Sequence, residues 1–373
     1  MPSADVLIVG AGIVGAACAA ELAARGADVA VLERDVVGSG ATAAGMGHLV
    51  VIDDSPAQLA LTRYSQRLWD AMVDADPSQH DHLRCGTIWV ASDDEELAAI
   101  GPKQALYAAN GIASQPLDAH TLYELEPKLR PGLAGGLLVP GDSVVYPPRT
   151  ALALMERAAA AGARLLHGEA AALLPDGVRL ADGSAIRAGA VVVATGARCP
   201  ALLPELPIRP KKGHLAITDR YPGMVRHQLV ELGYIKNAHA ADGDTVSFNV
   251  QPRPSGQILI GSSRQPGVAT RPIDFPMLAR MVARAVAFMP ALASCTMVRT
   301  WTGLRAATPD GLPLIGPHPA RPGVWLATGH EGLGITTALG TAQLLAAQLL
   351  AQPAPIPPEP YLPQRLPELA AVA

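Results

Sequence analysis

The residues with the clearest chemical spacing lie near the N-terminus: Gly10-Ala11-Gly12-Ile13-Val14-Gly15, with an acidic residue further on at Glu33. This pattern suits a turn whose backbone faces a pyrophosphate. Gly10 permits the tight turn, Gly12 lets the main chain approach the phosphates, and Gly15 allows close packing of helix on strand. Glu33 stands where a carboxylate accepts hydrogen bonds from ribose hydroxyls, which disfavours a 2′-phosphate and so argues against NADP. The flanking elements must position these groups. An apolar run over residues 5–9 predicts a strand, Ala-rich helical spacing over 16–25 predicts a helix whose N-terminus receives the phosphates, and a second apolar run over 29–32 ends at Glu33. The competing reading is a Gly-rich turn in some other α/β unit.

A second small-residue loop, Gly38-Ser39-Gly40-Ala41-Thr42-Ala43-Ala44-Gly45-Met46-Gly47, follows directly. Small residues let a backbone crowd a bulky ligand, although a flexible Gly/Ala loop reads the same way. Here the chain resembles the D-amino-acid oxidase and glycine oxidase family of flavoproteins, in which such a loop runs along the diphosphate, ribityl chain and flavin ring of FAD. Two distant segments extend the resemblance over nearly the whole chain. Val191-Val192-Val193-Ala194-Thr195-Gly196-Ala197 looks like the family strand that returns beneath the cofactor, or else an ordinary buried strand and turn. Arg299-Thr300-Trp301-Thr302-Gly303-Leu304-Arg305-Ala306-Ala307-Thr308-Pro309-Asp310-Gly311, leading to Leu314-Ile315-Gly316, is similar to the family's Gly-x-Arg…Thr-Pro-Asp-Gly segment. Val324-Trp325-Leu326-Ala327-Thr328-Gly329-His330-Glu331-Gly332-Leu333-Gly334 then opens a helical pattern over 335–350. In the family this turn faces the flavin pyrimidine, where the positive helix end stabilises charge on the reduced ring.

The resemblance implies a set of cofactor contacts. In the first two loops these are Gly10, Gly12, Ile13, Val14, Gly15, Glu33, Arg34, Ala41, Thr42, Gly45, Met46 and Gly47. The middle of the chain adds Ala170, Thr195 and Gly196, and the C-terminal part adds Gly303, His330, Gly332, Leu333, Gly334, Ile335 and Thr336. It also implies that Arg305 holds a substrate carboxylate. A planar, permanently charged fork can grip a carboxylate by two parallel hydrogen bonds and fix the α-carbon before the flavin. The bland alternative is an Arg305–Asp310 ion pair within the turn. With hydride passing from the α-carbon to flavin N5 and the amine already neutral, no side chain is nominated as acid or base. Some relatives attach FAD through a Cys in the Arg segment or a His in the small-residue loop. Neither residue occurs here, so FAD is expected to be non-covalent.

Glycine oxidase relatives carry a Tyr on the strand covering the substrate, whereas this stretch reads Ser247-Phe248-Asn249-Val250-Gln251-Pro252-Arg253. His48, Tyr234 and Asn249 are candidates for a slightly polar substrate pocket, each equally readable as a core or rim residue. The stretches around 45–50 and 247–263 look most like bacterial D-hydroxyproline dehydrogenase flavin subunits. That subgroup implies oxidation of D-hydroxyproline or D-proline and small electron-transfer partner subunits. A glycine- or sarcosine-type oxidase using O₂ is the alternative. Two other classes stay open: a nicotinamide dehydrogenase, which leaves the C-terminal Arg and Gly segments unexplained, and a non-catalytic flavin subunit, which an Arg305 without a pocket would favour.

Composition sets outer limits. The 373 residues carry a net charge of −4 with both signs scattered and no long basic run, so nucleic acid is not expected as a partner. The four cysteines, Cys18, Cys85, Cys199 and Cys295, lie far apart without a metal-ligand spacing, and no metal is expected. The apolar start is cut by glycines and lacks a basic leader, so it reads as strand, turn and helix; the scattered cysteines suit a reducing cytoplasm, with at most peripheral contact at the inner membrane. The Pro-rich stretch 352–367 predicts an extended tail, over the body or loose. The fold class expected is α/β: a Rossmann-like FAD-binding domain with a discontinuous α+β substrate-binding domain built on an antiparallel sheet. Residues 1–83, 139–206 and 298–373 are assigned to the FAD part, and 84–138 and 207–297 to the substrate part.

Overall fold

A computed structural model describes residues 3–233 and 243–370. The first strand, Ser3–Val9, is buried on both faces: Val6 and Ile8 point into one apolar cluster, Leu7 and Val9 into another. Such a strand reads as a continuous apolar run because helices or loops cover both sides. It lies at the centre of an eight-stranded sheet with the order Leu314–Pro317, Val324–Thr328, Ala185–Val193, Ser3–Val9, Val29–Glu33 and Arg164–His167, flanked by Ala170–Leu174 and Gly177–Leu180. The five strands from Val324–Thr328 to Arg164–His167 run parallel. The Ala-rich helix Ile13–Ala24 is narrow enough to sit on this sheet, with Pro147–Ala160 and Gly334–Leu349 packed beside it. This is the doubly wound layer expected from the fingerprint, with helix boundaries shifted by a few residues.

The second sheet has nine strands, in the order His330–Glu331, Met297–Ala307, Arg209–Arg220, Gln257–Pro266, Thr245–Pro252, Gln228–Glu231, Thr87–Ala91, Gly135–Val139 and Gln115–Asp118. Every pair is antiparallel except Gln228–Glu231 with Thr87–Ala91. The strand period of two divides its faces. Ile88, Val90, Phe248 and Val250 face a core shared with the amphipathic helix Phe275–Phe288, where Phe248 and Phe288 stack with ring centroids 4.5 Å apart. The alternate residues Thr87, Trp89 and Asn249 look the other way, into a cleft between the two sheets.

Two features bear on the sequence expectations. The strand Met297–Ala307, which the sequence places almost wholly in the FAD-binding segment beginning at 298, pairs along its length with Arg209–Arg220 in the nine-stranded sheet. Asp310 is held by Arg365 through Nε–Oδ2 (2.7 Å) and Nη2–Oδ1 (3.0 Å), which answers the alternative that would have paired it with Arg305. The same contact fastens the Pro-rich tail over the body. Tyr361 is buried there with its hydroxyl donating to the Ala57 carbonyl at 2.6 Å, and Leu366 and Leu369 enter the core.

Candidate functional site

A continuous cleft opens where the parallel strands end, at Val9, Glu33, Ala194 and Thr328, and runs beneath the nine-stranded sheet to Arg305 and Trp89. Ligands of open α/β sheets bind at this edge, where the connections diverge. Its narrow end is a glycine cradle. Gly10 has φ +105°, and a Cβ there would stand 2.8 Å from the Ala194 carbonyl oxygen. A Cβ on Gly15 would come within 1.9 Å of the Gly10 carbonyl oxygen, so Gly15 serves helix–turn packing and does not itself line the cleft. Gly12 is the N-cap of Ile13–Ala24 without a side-chain cap, so the first N–H groups of the helix face the cleft. One of them is satisfied internally, since the Ile13 N–H donates to Thr42 Oγ1 at 3.0 Å.

Glu33 is fixed from below: Oε2 accepts the Ala11 N–H at 2.7 Å and Oε1 accepts the Asp35 N–H at 2.8 Å. Each oxygen keeps a lone pair for the cleft. Arg34 lines the same end, paired with Asp35 at 3.2 Å and with Glu169. Val14, Ala41, Ala170, Thr195 and Gly196 complete this half. In the middle, Gly45, Met46 and Gly47 line the wall, and a Cβ on Gly303 would meet Ala44 Cβ at 2.5 Å, so loop and strand close to contact only because residue 303 has no side chain. The helix Gly334–Leu349 also presents an uncapped N-terminus, with Gly332, Leu333, Gly334 and Ile335 on the lining. Beside it, burial pushes the His330 imidazole down to about 3, and its Nε2 lies 3.0 Å from Thr341 Oγ1, so the ring is neutral. Thr336 lies off the lining. Its hydroxyl donates to the His48 carbonyl at 2.8 Å and its carbonyl accepts Trp69 Nε1–H at 2.7 Å, tying the helix to the small-residue loop.

At the wide end, Arg305 Nη1 donates to the Ser263 carbonyl at 3.1 Å. Its guanidinium lies over Gly213, where a Cβ would fall 2.5 Å from Nη1 and 2.9 Å from Cζ. Close by, Glu331 adopts a left-handed backbone (φ 49°), and its Oε1 sits 3.0 Å from Lys211 Nζ and 3.8 Å from Arg264 Nε. Burial works against its ionisation, but Arg264, Arg305 and Lys211 together outweigh that and hold the carboxyl at about 2. His48 and Asn249 both reach the cleft. Burial lowers the His48 imidazole to about 4, with a Gln251 hydrogen bond opposing and Arg253 adding to the shift. Tyr234, the third candidate, lies outside the described residues.

Sequence reasoning missed several lining groups: Gly213, Trp89, Gln228 and Glu331. Trp89 and Gln228 reach the same cleft only because distant strands pair in parallel, which no local periodicity announces. Among the described residues of this lining, the buried atoms His48 Nε2, Trp89 Nε1, Gln228 Oε1 and Asn249 Oδ1 have no hydrogen-bond partner. Buried polar groups are nearly always paired, so such a group of orphans marks a place for a polar ligand. The glycine cradle with two uncapped helix ends and a ribose-height carboxylate suits FAD, with no Cys in 303–307 and no His in 38–46 for covalent attachment. Among the described residues, no helix is long and apolar enough to cross a membrane.

Comparison with known proteins agrees with this geometry. The sequence profile of the family described as FAD dependent oxidoreductase (DAO) matches residues 5–348. A glycine oxidase from Geobacillus kaustophilus is 31% identical over 358 residues, covering 92% of each chain. The hydrogen cyanide synthase subunit HcnC from Pseudomonas aeruginosa is 28% identical over 431 residues, covering 99% of this chain and 98% of that protein. The crystal structure of the Geobacillus kaustophilus glycine oxidase superposes with a TM-score of 0.88 at 28% identity, covering 98% of this chain and 100% of the other.

Proposed function

The chain belongs to the DAO family of FAD-dependent oxidoreductases and is an FAD-dependent amino-acid oxidoreductase; from that premise we propose that it oxidises the carbon–nitrogen bond of a small α-amino or imino acid held by Arg305. The observation that carries this reading is the seat of Arg305. A guanidinium laid on Gly213 and tied to the Ser263 carbonyl presents its fork to the same cleft that holds the cofactor cradle. That open cleft also counts against a non-catalytic subunit.

Bound FAD supplies the acceptor for the two electrons of the C–N bond oxidation. The protein's residues do the rest by holding and polarising. Arg305 grips the carboxylate and orients the α-carbon. The neutral His48 ring offers Nε2 to an amine N–H, and the uncapped N-terminus of Gly334–Leu349 favours negative charge at its end of the cleft. Non-covalent attachment is part of this reading, as are the cofactor contacts named above.

The glycine oxidase relatives support a glycine- or sarcosine-type substrate with O₂ as acceptor. A second reading, D-hydroxyproline or D-proline oxidation, is favoured by the four orphaned polar atoms of His48, Trp89, Gln228 and Asn249, which suit a substrate hydroxyl. That reading includes small electron-transfer partner subunits, and the similarity to a synthase subunit supports an assembly of this kind. A cytoplasmic location fits both. The deciding experiment adds glycine, sarcosine, D-proline and cis-4-hydroxy-D-proline in turn to the anaerobic holoenzyme and follows bleaching of the flavin band. Bleaching by glycine or sarcosine with fast recovery in air supports the first reading. Bleaching by the hydroxylated imino acid with slow recovery supports the second. A protein that stays yellow with every amine refutes both.

A further inference from the structure

A buried residue that does not line the cleft shares a partner, Ser263, with Arg305. His214, on the strand Arg209–Arg220, is fully buried, and both its backbone N–H and its ring Nδ1 lie 2.9 Å from Ser263 Oγ. Its other ring nitrogen, Nε2, accepts the Asp274 N–H at 3.0 Å. A backbone amide only donates, so Nε2 must carry a lone pair, the proton sits on Nδ1, and the ring is neutral. Nδ1–H therefore donates to Ser263 Oγ. The same Ser263 offers its carbonyl to Arg305 Nη1, and the residue preceding His214 is Gly213, the floor on which the guanidinium lies.

We propose that His214, as a neutral Nδ1–H imidazole, is a positioning residue for the substrate carboxylate: it locks Ser263 and the strand carrying Gly213 so that Arg305 points into the cleft. One ring thereby couples three elements, the strands Arg209–Arg220 and Gln257–Pro266 and the N-cap of the helix Phe275–Phe288. Asp274 is itself ordered, accepting the Met277 N–H at 3.1 Å and the Gln265 side chain at 2.9 Å, so the acceptor demand on Nε2 is rigid. Protonating Nε2 would set N–H against N–H and eject the ring from this arrangement. The charged groups facing the ring are Lys212, Asp274, Arg305 and Asp244; burial together with Lys212 and Arg305 disfavours the imidazolium, and the two carboxylates favour it, with a net downward shift. Acid should therefore loosen the carboxylate grip by disordering Ser263.

This inference rests on the proposed role of Arg305, and the test separates the two. Glycolate, a carboxylate without an amine, is titrated into the holoenzyme while the flavin absorbance is followed, and KM and kcat are measured on the substrate that bleaches it. Arg305→Ala is the control. His214→Phe should raise the glycolate Kd and the substrate KM at least ~10-fold while kcat stays within about threefold, the signature of lost positioning of a binding group. His214→Gln, whose amide donates and accepts but does not titrate, should recover most of the affinity. Corrected for the protonation of glycolate itself, its Kd should stay flat on acidification, where that of the wild type rises. Ser263→Ala should weaken glycolate at least ~5-fold, and serves if His214→Phe does not fold. If Arg305→Ala abolishes glycolate binding but the His214 and Ser263 variants bind as the wild type does, or if His214→Gln keeps the acid limb, the positioning role is wrong. If Arg305→Ala itself binds glycolate normally, the carboxylate reading has failed first.

Discussion

Placing a methyl group on Gly213 should weaken substrate binding without weakening the fold. An alanine Cβ there would stand 2.5 Å from Arg305 Nη1, 2.8 Å from Nη2 and 2.9 Å from Cζ. Ordinary carbon–nitrogen contacts begin near ~3.5 Å, so the guanidinium must shift by about 1 Å. A two-pronged grip on a carboxylate tolerates no such shift in both prongs. If one charge-assisted hydrogen bond is lost and the other strained, the loss is about 2–3 kcal/mol, or about 30- to 150-fold in affinity. The backbone gives no counter-effect: Gly213 sits within a strand, where alanine is better than glycine by roughly 0.5–1 kcal/mol. The assay is KM and kcat for the bleaching amino acid, with the Kd of glycolate, alongside thermal unfolding. A KM raised 30-fold or more with Tm unchanged or higher supports the seat described for Arg305. A KM within twofold of wild type would show that the fork is held elsewhere, and would refute the reasoning.

Other expectations follow from the same geometry. Glu331→Gln leaves Lys211, Arg264 and Arg305 without their shared carboxylate and should lower stability by about 3 kcal/mol, read as a drop in Tm. Because that carboxyl is held at about 2, its stabilisation is complete above the unfolded-state carboxylate range and lost only as pH falls toward 2; an equal Tm for wild type and variant at neutral pH would contradict it. His48, lowered to about 4, binds its proton more readily when unfolded, so stability should fall as pH drops from about 6.5 to about 4, and His48→Gln should remove that slope in denaturant titrations. Tyr361→Phe loses the hydrogen bond to Ala57 and should lower stability by about 1 kcal/mol in denaturant melts, an effect that would be absent if the tail were loose. Acid precipitation should leave yellow flavin in the supernatant; colour in the pellet would mean covalent attachment.

The cofactor half was legible because its requirements are local. A strand, a glycine turn and a helix must adjoin in sequence, and Gly10, Gly12 and Glu33 stand where that rule places them. The place of Arg305 on the cleft was legible for the same reason, as part of a contiguous motif. Thr336 was assigned to the cofactor with its neighbours, yet each helical residue turns the side chain by about 100°, and that rotation carries its hydroxyl to the His48 carbonyl. Trp89 and Gln228 were illegible because their pairing joins residues 87–91 to 228–231. Gly213 and His214 carried no motif. Their roles arise from what the strands on either side present to them.

The edge strand Met297–Ala307 has a mechanical consequence. It is hydrogen-bonded into the nine-stranded sheet along its length, and residues 330–331 extend that edge while the segments between and after them, Val324–Thr328 and Gly334–Leu349, belong to the other layer. The chain thus passes between the two sheets with very short crossings, at 329 and at 332–333. Such short crossings leave little chain to serve as a hinge there, so entry and exit of small molecules should use local movements of loops and side chains. By the same crossings, the two layers should protect their amides to a common level in hydrogen exchange, and neither should survive as an excised fragment.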